Sequence, residues 1–236
     1  MSFQGLDAGK ILDTLERLGQ RIEERFPGSG LGRVARDLLG LARDGAREAE
    51  ALGNPNWPVR VGLGLIGVVA LGVLGYAVTN VAQAYGVRDQ GVGMADFVQA
   101  VEAVVNDIVF LGIAVVFLAG VEGRIKRKAA LRWLHQLRSV AHIIDMHQLT
   151  KDPDRLLVAQ ADTASSPSRQ MSRAELGRYL DYCSELLSVT AKVAALFAQH
   201  LGDPVVLQSV NEVEDLTNGL SRKIWQKITL LRTQDA

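Results

Sequence analysis

Three of the four histidines of this chain fall in one short run, His135-x-x-Arg138-x-x-x-His142-x-x-Asp145-x-His147, followed by Thr150-Lys151-Asp152-Pro153. At the angular step of a helix, His135, Arg138, His142 and Asp145 share a sector about 80° wide. Leu134, Leu137, Val140, Ala141 and Ile144 fill the neighbouring sector, so the polar stripe borders the face expected to be buried. Imidazole and carboxylate could bind zinc or iron through His135, His142 and Asp145. However, histidines seven residues apart lie about 10 Å apart along a helix axis, and Arg138 between them repels a cation. Arg138 with His135 and His142 could instead donate to an anion or a nucleotide phosphate. The plainest reading is a hydrogen-bonded network joining Arg138 and His142 to Asp145, or to acids of the C-terminal helices, since buried polar groups must be paired.

A second polar set lies within an apolar run. Gln99, Glu102 and Asn106 share a helix face, with Asp107 one residue round. Ionisable groups inside a bilayer are expensive and usually face a bundle interior or a pore, and rings of acids line cation pathways. The alternative is that these residues sit in the outer headgroup layer. Gly64, Gly67 and Gly75 lie roughly on one stripe of the preceding apolar run, and small residues there let helices approach closely.

Two apolar segments carry these sets. Val61–Val78 runs eighteen residues without a charge, and Ile108–Val121 runs fourteen, reaching spanning length if extended back through Val101–Asp107. A hydrocarbon core about 30 Å thick takes about 20 helical residues. The expected architecture is therefore all-α: a two-helix transmembrane hairpin (57–121, spans about 59–80 and 98–121, with a short outside loop), an N-terminal helical arm (1–56) and a C-terminal helical bundle (122–236). Arg124, Lys126, Arg127, Lys128 and Arg132 follow the second span, and Arg43, Arg47 and Arg60 precede the first, whereas Arg88 is alone between them. Positive charge stays inside, so both termini are expected in the cytoplasm. Trp57 and Arg60 suit the headgroup interface, Arg60 by snorkelling. Residues 1–30 have no continuous apolar stretch of a cleavable signal, so the first span is expected to be its own insertion signal.

The flanks read as amphipathic helices. Ile11, Leu15, Leu18, Ile22 and Phe26 form one stripe, ended by Pro27-Gly28-Ser29-Gly30; Leu31, Val34, Leu38, Leu41 and Leu52 form a second. Asp96 with Gln99 reads as a capping box opening the second span. With no breaker before Gly120 and Gly123 and no proline before Pro153, that helix could run to about Leu149, a rod of about 80 Å unless the glycines bend it. Asp152-Pro153 reads as a helix start, and Ala161–Ser168 as a Ser-rich loop. Ser172 and Glu175 form a capping box, followed by Leu176, Leu180, Cys183, Leu187, Thr190, Ala194, Phe197 and Leu201 in four-three alternation. After Gly202-Asp203-Pro204 the alternation resumes at Val206, Val210, Val213, Thr217, Leu220, Ile224 and Leu231, interrupted by Lys227; the two helices should pack antiparallel.

Composition narrows the function. Zero formal net charge over 236 residues argues against a nucleic-acid partner, and the lone Cys183 excludes an internal disulfide. No P-loop, Gly-x-Ser-x-Gly or His-Glu-x-x-His occurs, so no catalytic residue, metal or cofactor is assigned. The expectation is a non-enzymatic, self-associating scaffold in a bacterial inner membrane, suggested by its Ala-, Gly-, Leu- and Arg-rich usage, with the bilayer, further copies of itself and a cytoplasmic protein as partners. A small oligomeric cation channel lined by Glu102, Asn106 and Asp107 is the first alternative. A membrane-bound metal or anion sensor, or an enzyme using the histidine stripe, is the second.

Overall fold

The computed structural model describes residues 5–86, 94–151 and 171–232. Among them the chain is all-α, without strands: α1 (Ala8–Arg25), α2 (Gly30–Gly53), α3 (Trp57–Gly86), α4 (Met94–Ala119), α5 (Val121–Leu149), α6 (Arg173–His200) and α7 (Pro204–Arg232). Helix starts follow local chemistry. Asp7 accepts from the Lys10 N–H, Ser29 from the Gly32 N–H, and Ser172 with Glu175 forms the reciprocal capping box expected of that pair. Asp203 accepts from the amides of Val205 and Val206 at the start of α7. Between α1 and α2, Gly28 turns at φ 68°, a conformation that favours glycine, and its N–H donates to Glu23. The Asp152-Pro153 start, the Ala161–Ser168 loop and Arg88 lie outside the described residues.

The helices divide into two compact units, Met1–Asn54 with Arg127–Ala236, and Pro55–Lys126. In the first, α6 is the central helix. The seam read from the sequence, Leu176 through Phe197, is buried in the core, and α7 packs along it. A second seam on α6, Tyr179, Tyr182, Leu186, Val189, Val193 and Leu196, is buried as well. Its three-four spacing serves α1 and α2, which pack on each other and on α6. Burying each large side chain of this core contributes about 1.5–3 kcal/mol. The N-terminal helices thus share one hydrophobic core with the C-terminal third instead of forming a separate arm.

Helix α5 completes this bundle with Ala130, Leu134, Leu137, Ala141 and Ile144, all fully or almost fully buried. It runs parallel to α7: Arg127 pairs with Asp203, Arg138 with Glu212, and Lys227 donates to the Gln148 carbonyl. Lys227 therefore does not break the seam of α7. Its stem leaves the core to cap the end of α5, and Ile228 is buried beside it. Gly45 of α2 lies where Trp133 of α5 and Phe197 of α6 meet.

In the second unit α3 and α4 pack on each other. Helix α3 continues to Gly86, beyond the expected span end near residue 80, because no breaker intervenes; α4 is already helical at Met94, ahead of Asp96. Both helices are long and apolar enough to cross a membrane, and neither apolar window has a buried residue. The long rod is interrupted at Gly120, where α4 ends. Arg124 donates to the Phe117 carbonyl at 2.8 Å and stacks on the Phe117 ring at 4.4 Å, satisfying a carbonyl at that helix end.

Candidate functional site

The histidine stripe of α5 is divided by the line along which the helix meets the bundle. Arg138, on the inner side, pairs with Glu212 of α7 at 2.6 Å. Asp145 accepts from the buried Gln148 amide at 2.6 Å. His135 and His142 point outward and are exposed, so neither belongs to a closed network with Arg138 and Asp145. His147 faces another way, against α2, so close to Gly30 that a Cβ there would overlap its ring. Burial holds its imidazole below the usual histidine range, and Arg33 and Lys151 push the same way. Among the described residues no three His, Cys, Asp or Glu side chains converge as a metal site.

Within the apolar unit, Gln99, Glu102, Asn106 and Asp107 are all exposed on α4, and neither acid has a cation partner among the described residues. On α3 the half-buried positions among the described residues are Val59, Gly62, Leu63, Gly67, Ala70 and Leu74, and α3 packs on α4. Of the glycine stripe, Gly67 is half-buried, whereas Gly64 and Gly75 are exposed, and a Cβ added at any of the three would meet nothing within 4 Å.

The structure also forms a polar clamp that sequence spacing did not reveal. Glu122 accepts from the Asn56 N–H at 3.0 Å and from Arg60 Nε at 2.8 Å, and Lys126 lies 3.0 Å away. These donors, the Asn56 amide foremost, hold its carboxyl down to about 2. The residue just past α4 is thereby tied to the first turn of α3. Arg60, read from sequence as snorkelling to headgroups, is engaged in this pair. Trp57, beside it, is 67% exposed. The clue available in sequence was an isolated Glu122 among the basic residues 124–128.

Two further features of the bundle bear on function. Two adjoining hollows, each of about 480 Å³, lie over α6 toward α1 and α7 and share Leu6, Ser188 and Lys192. The hollow toward α7 is floored on α6 by the small residues Ser184, Ser188, Ala191 and Ala195. The Leu6 N–H donates to Gln199 at 2.6 Å, fixing the lead-in of α1 beside them. Cys183, fully buried, is pushed up to about 12 by desolvation, so its thiol stays protonated and unreactive. No protein family, curated protein or solved structure matches this chain.

Proposed function

We propose that the protein is a membrane-anchored interaction scaffold. Helices α3 and α4 cross a bacterial inner membrane as a hairpin, both termini are cytoplasmic, and the helical bundle presents helical surfaces to a cytoplasmic partner. The observation that carries this reading is the contrast between the two units. The bundle closes a dense apolar core of its own, whereas α3 and α4 leave Leu65, Val69, Phe110 and Val116 more than half exposed. In water such a surface costs about 1.5–3 kcal/mol per large side chain; in hydrocarbon it costs nothing. Glu122, Asn56 and Arg60 would then close the hairpin at its base, at the cytoplasmic interface. The trough over α6 toward α7, lined by Ser184, Ser188, Ala191 and Ala195, is the surface offered to a partner helix, and self-association through Gly64 and Gly75 remains part of the proposal.

A cation pore is the second reading. It is favoured by the exposure of Glu102, Asn106 and Asp107 on the outer surface of α4, where lipid is a poor neighbour and another copy with water between is a better one. Two spanning helices cannot enclose a water path, so this reading requires an oligomer. Conductance of the reconstituted protein separates the two. The scaffold predicts no protein-dependent current at any voltage, with Glu102→Gln and Asp107→Asn silent. A cation-selective current that those substitutions reduce, most clearly at low ionic strength, would replace the scaffold by the pore.

A further inference from the structure

The outward face of α5 has a composition that its role in the bundle does not require. Its exposed positions carry Arg124, Lys128, Arg132, His135 and His142, and no carboxylate. The two acids of the helix, Glu122 and Asp145, are turned aside and engaged with Asn56, Arg60 and Lys126 or with Gln148. Arg127 and Arg138 are neutralised by Asp203 and Glu212. Lys128 and Arg132 have no acidic partner among the described residues. Lys128, Arg132, His135, His142 and Met146 fall within a sector about 80° wide.

Apolar side chains accompany the cations. Ile143 and Leu149 are exposed at the border of this sector, and Met146 within it is 66% exposed. A solvated helix face gains nothing from large apolar groups among its cations. A face lying at a bilayer interface uses both, apolar groups at the acyl boundary and cations at the phosphates. Chain connectivity favours lipid over an acidic protein: α5 begins two residues after the end of apolar α4. Lys128 follows Ala119 by only nine residues of chain.

We propose that the outward face of α5, centred on Lys128, Arg132, His135 and His142, binds the headgroups of anionic phospholipids. Lysine and arginine supply the charge, the imidazoles supply N–H donors to phosphate oxygens, and Met146 enters the acyl boundary. The proposal rests on the membrane reading above, and its test separates the two. The full chain carrying Met146→Cys is labelled with an environment-sensitive fluorophore; the buried Cys183 does not compete. It is then reconstituted into nanodiscs of phosphatidylcholine alone or mixed with phosphatidylglycerol. The expected result is a blue-shifted emission only with phosphatidylglycerol, reversed by high salt. Lys128→Gln with Arg132→Gln should lower the apparent affinity about 25-fold, from about fivefold per cation. Both positions are exposed, so the double substitution leaves the core untouched, and the lipid and salt dependence of the labelled chain that keeps both cations is a test that does not need it. Equal emission in the two lipid compositions, or a shift unchanged by the double substitution, overturns the proposal. Failure of the chain to enter phosphatidylcholine discs would instead refute the membrane reading. Flotation with phosphatidylglycerol vesicles then tests the face alone: binding lost in the double variant supports it, and absence of binding overturns it.

Discussion

Replacing Leu137 and its neighbour Arg138 separately by alanine asks what holds α5 to the bundle. Leu137 is fully buried. Its truncation removes a packed side chain and leaves a cavity, costing about 2–5 kcal/mol. Arg138 makes a short ion pair with Glu212, but the two side chains are 41% and 47% exposed. Water competes for both, so the pair contributes at most about 1 kcal/mol. Cys183 provides the assay. Buried and protonated in the folded bundle, it reacts with a thiol reagent when the bundle opens, so its labelling rate in mild denaturant reports the opening free energy. Leu137→Ala should raise that rate about 30-fold or more, and Arg138→Ala no more than about fivefold. Equal acceleration by the two substitutions would refute the reasoning, because the polar edge and not the apolar face would then dock the helix.

Two other outcomes follow from the titrating groups. The His147 imidazole is held below its ordinary value of 6.5, so the unfolded chain takes up the proton more readily than the folded one. Its contribution to stability is complete above about pH 6.5 and declines as the pH falls below that, so His147→Gln should flatten the fall in urea midpoint between about pH 7 and pH 5. Glu122 titrates near 2 when clamped and near 4.5 when free, so its clamp is complete above about 4.5 and is lost as the pH falls toward 2. At neutral pH, Glu122→Gln should speed hydrogen exchange at the Asn56 amide, measured by mass spectrometry, without changing Cys183 protection.

Much of the fold was legible because it rests on local rules. The Ser172–Glu175 box, the Gly202-Asp203-Pro204 turn and the four-three seam of α6 and α7 are set by chemistry within a few residues. The second seam of α6 was written as plainly, from Tyr179 to Leu196, but which helices it serves depends on how the chain returns from residues 1–54. The histidine stripe shows where such reading ends. A helical wheel gives each side chain an angle about its own axis, not the direction of the neighbours. The contact line with α7 cuts the 80° sector, leaving Arg138 and Asp145 on its inner edge and His135 and His142 in solvent. The Glu122 clamp joins residues 62 and 66 positions apart, and no spacing rule reaches that far.

The central claim is the membrane hairpin with both termini inside, and impermeant thiol labelling of intact cells tests it most directly. Cysteine is introduced at Gln90, between α3 and α4, or at the exposed Gln226 of α7; the unsubstituted chain, whose only thiol is the buried Cys183, is the blank. Labelling from outside at residue 90, with residue 226 reacting only after the membrane is permeabilised, is the predicted pattern. Labelling of residue 226 in intact cells with residue 90 protected, or recovery of the chain in the soluble fraction, would contradict it.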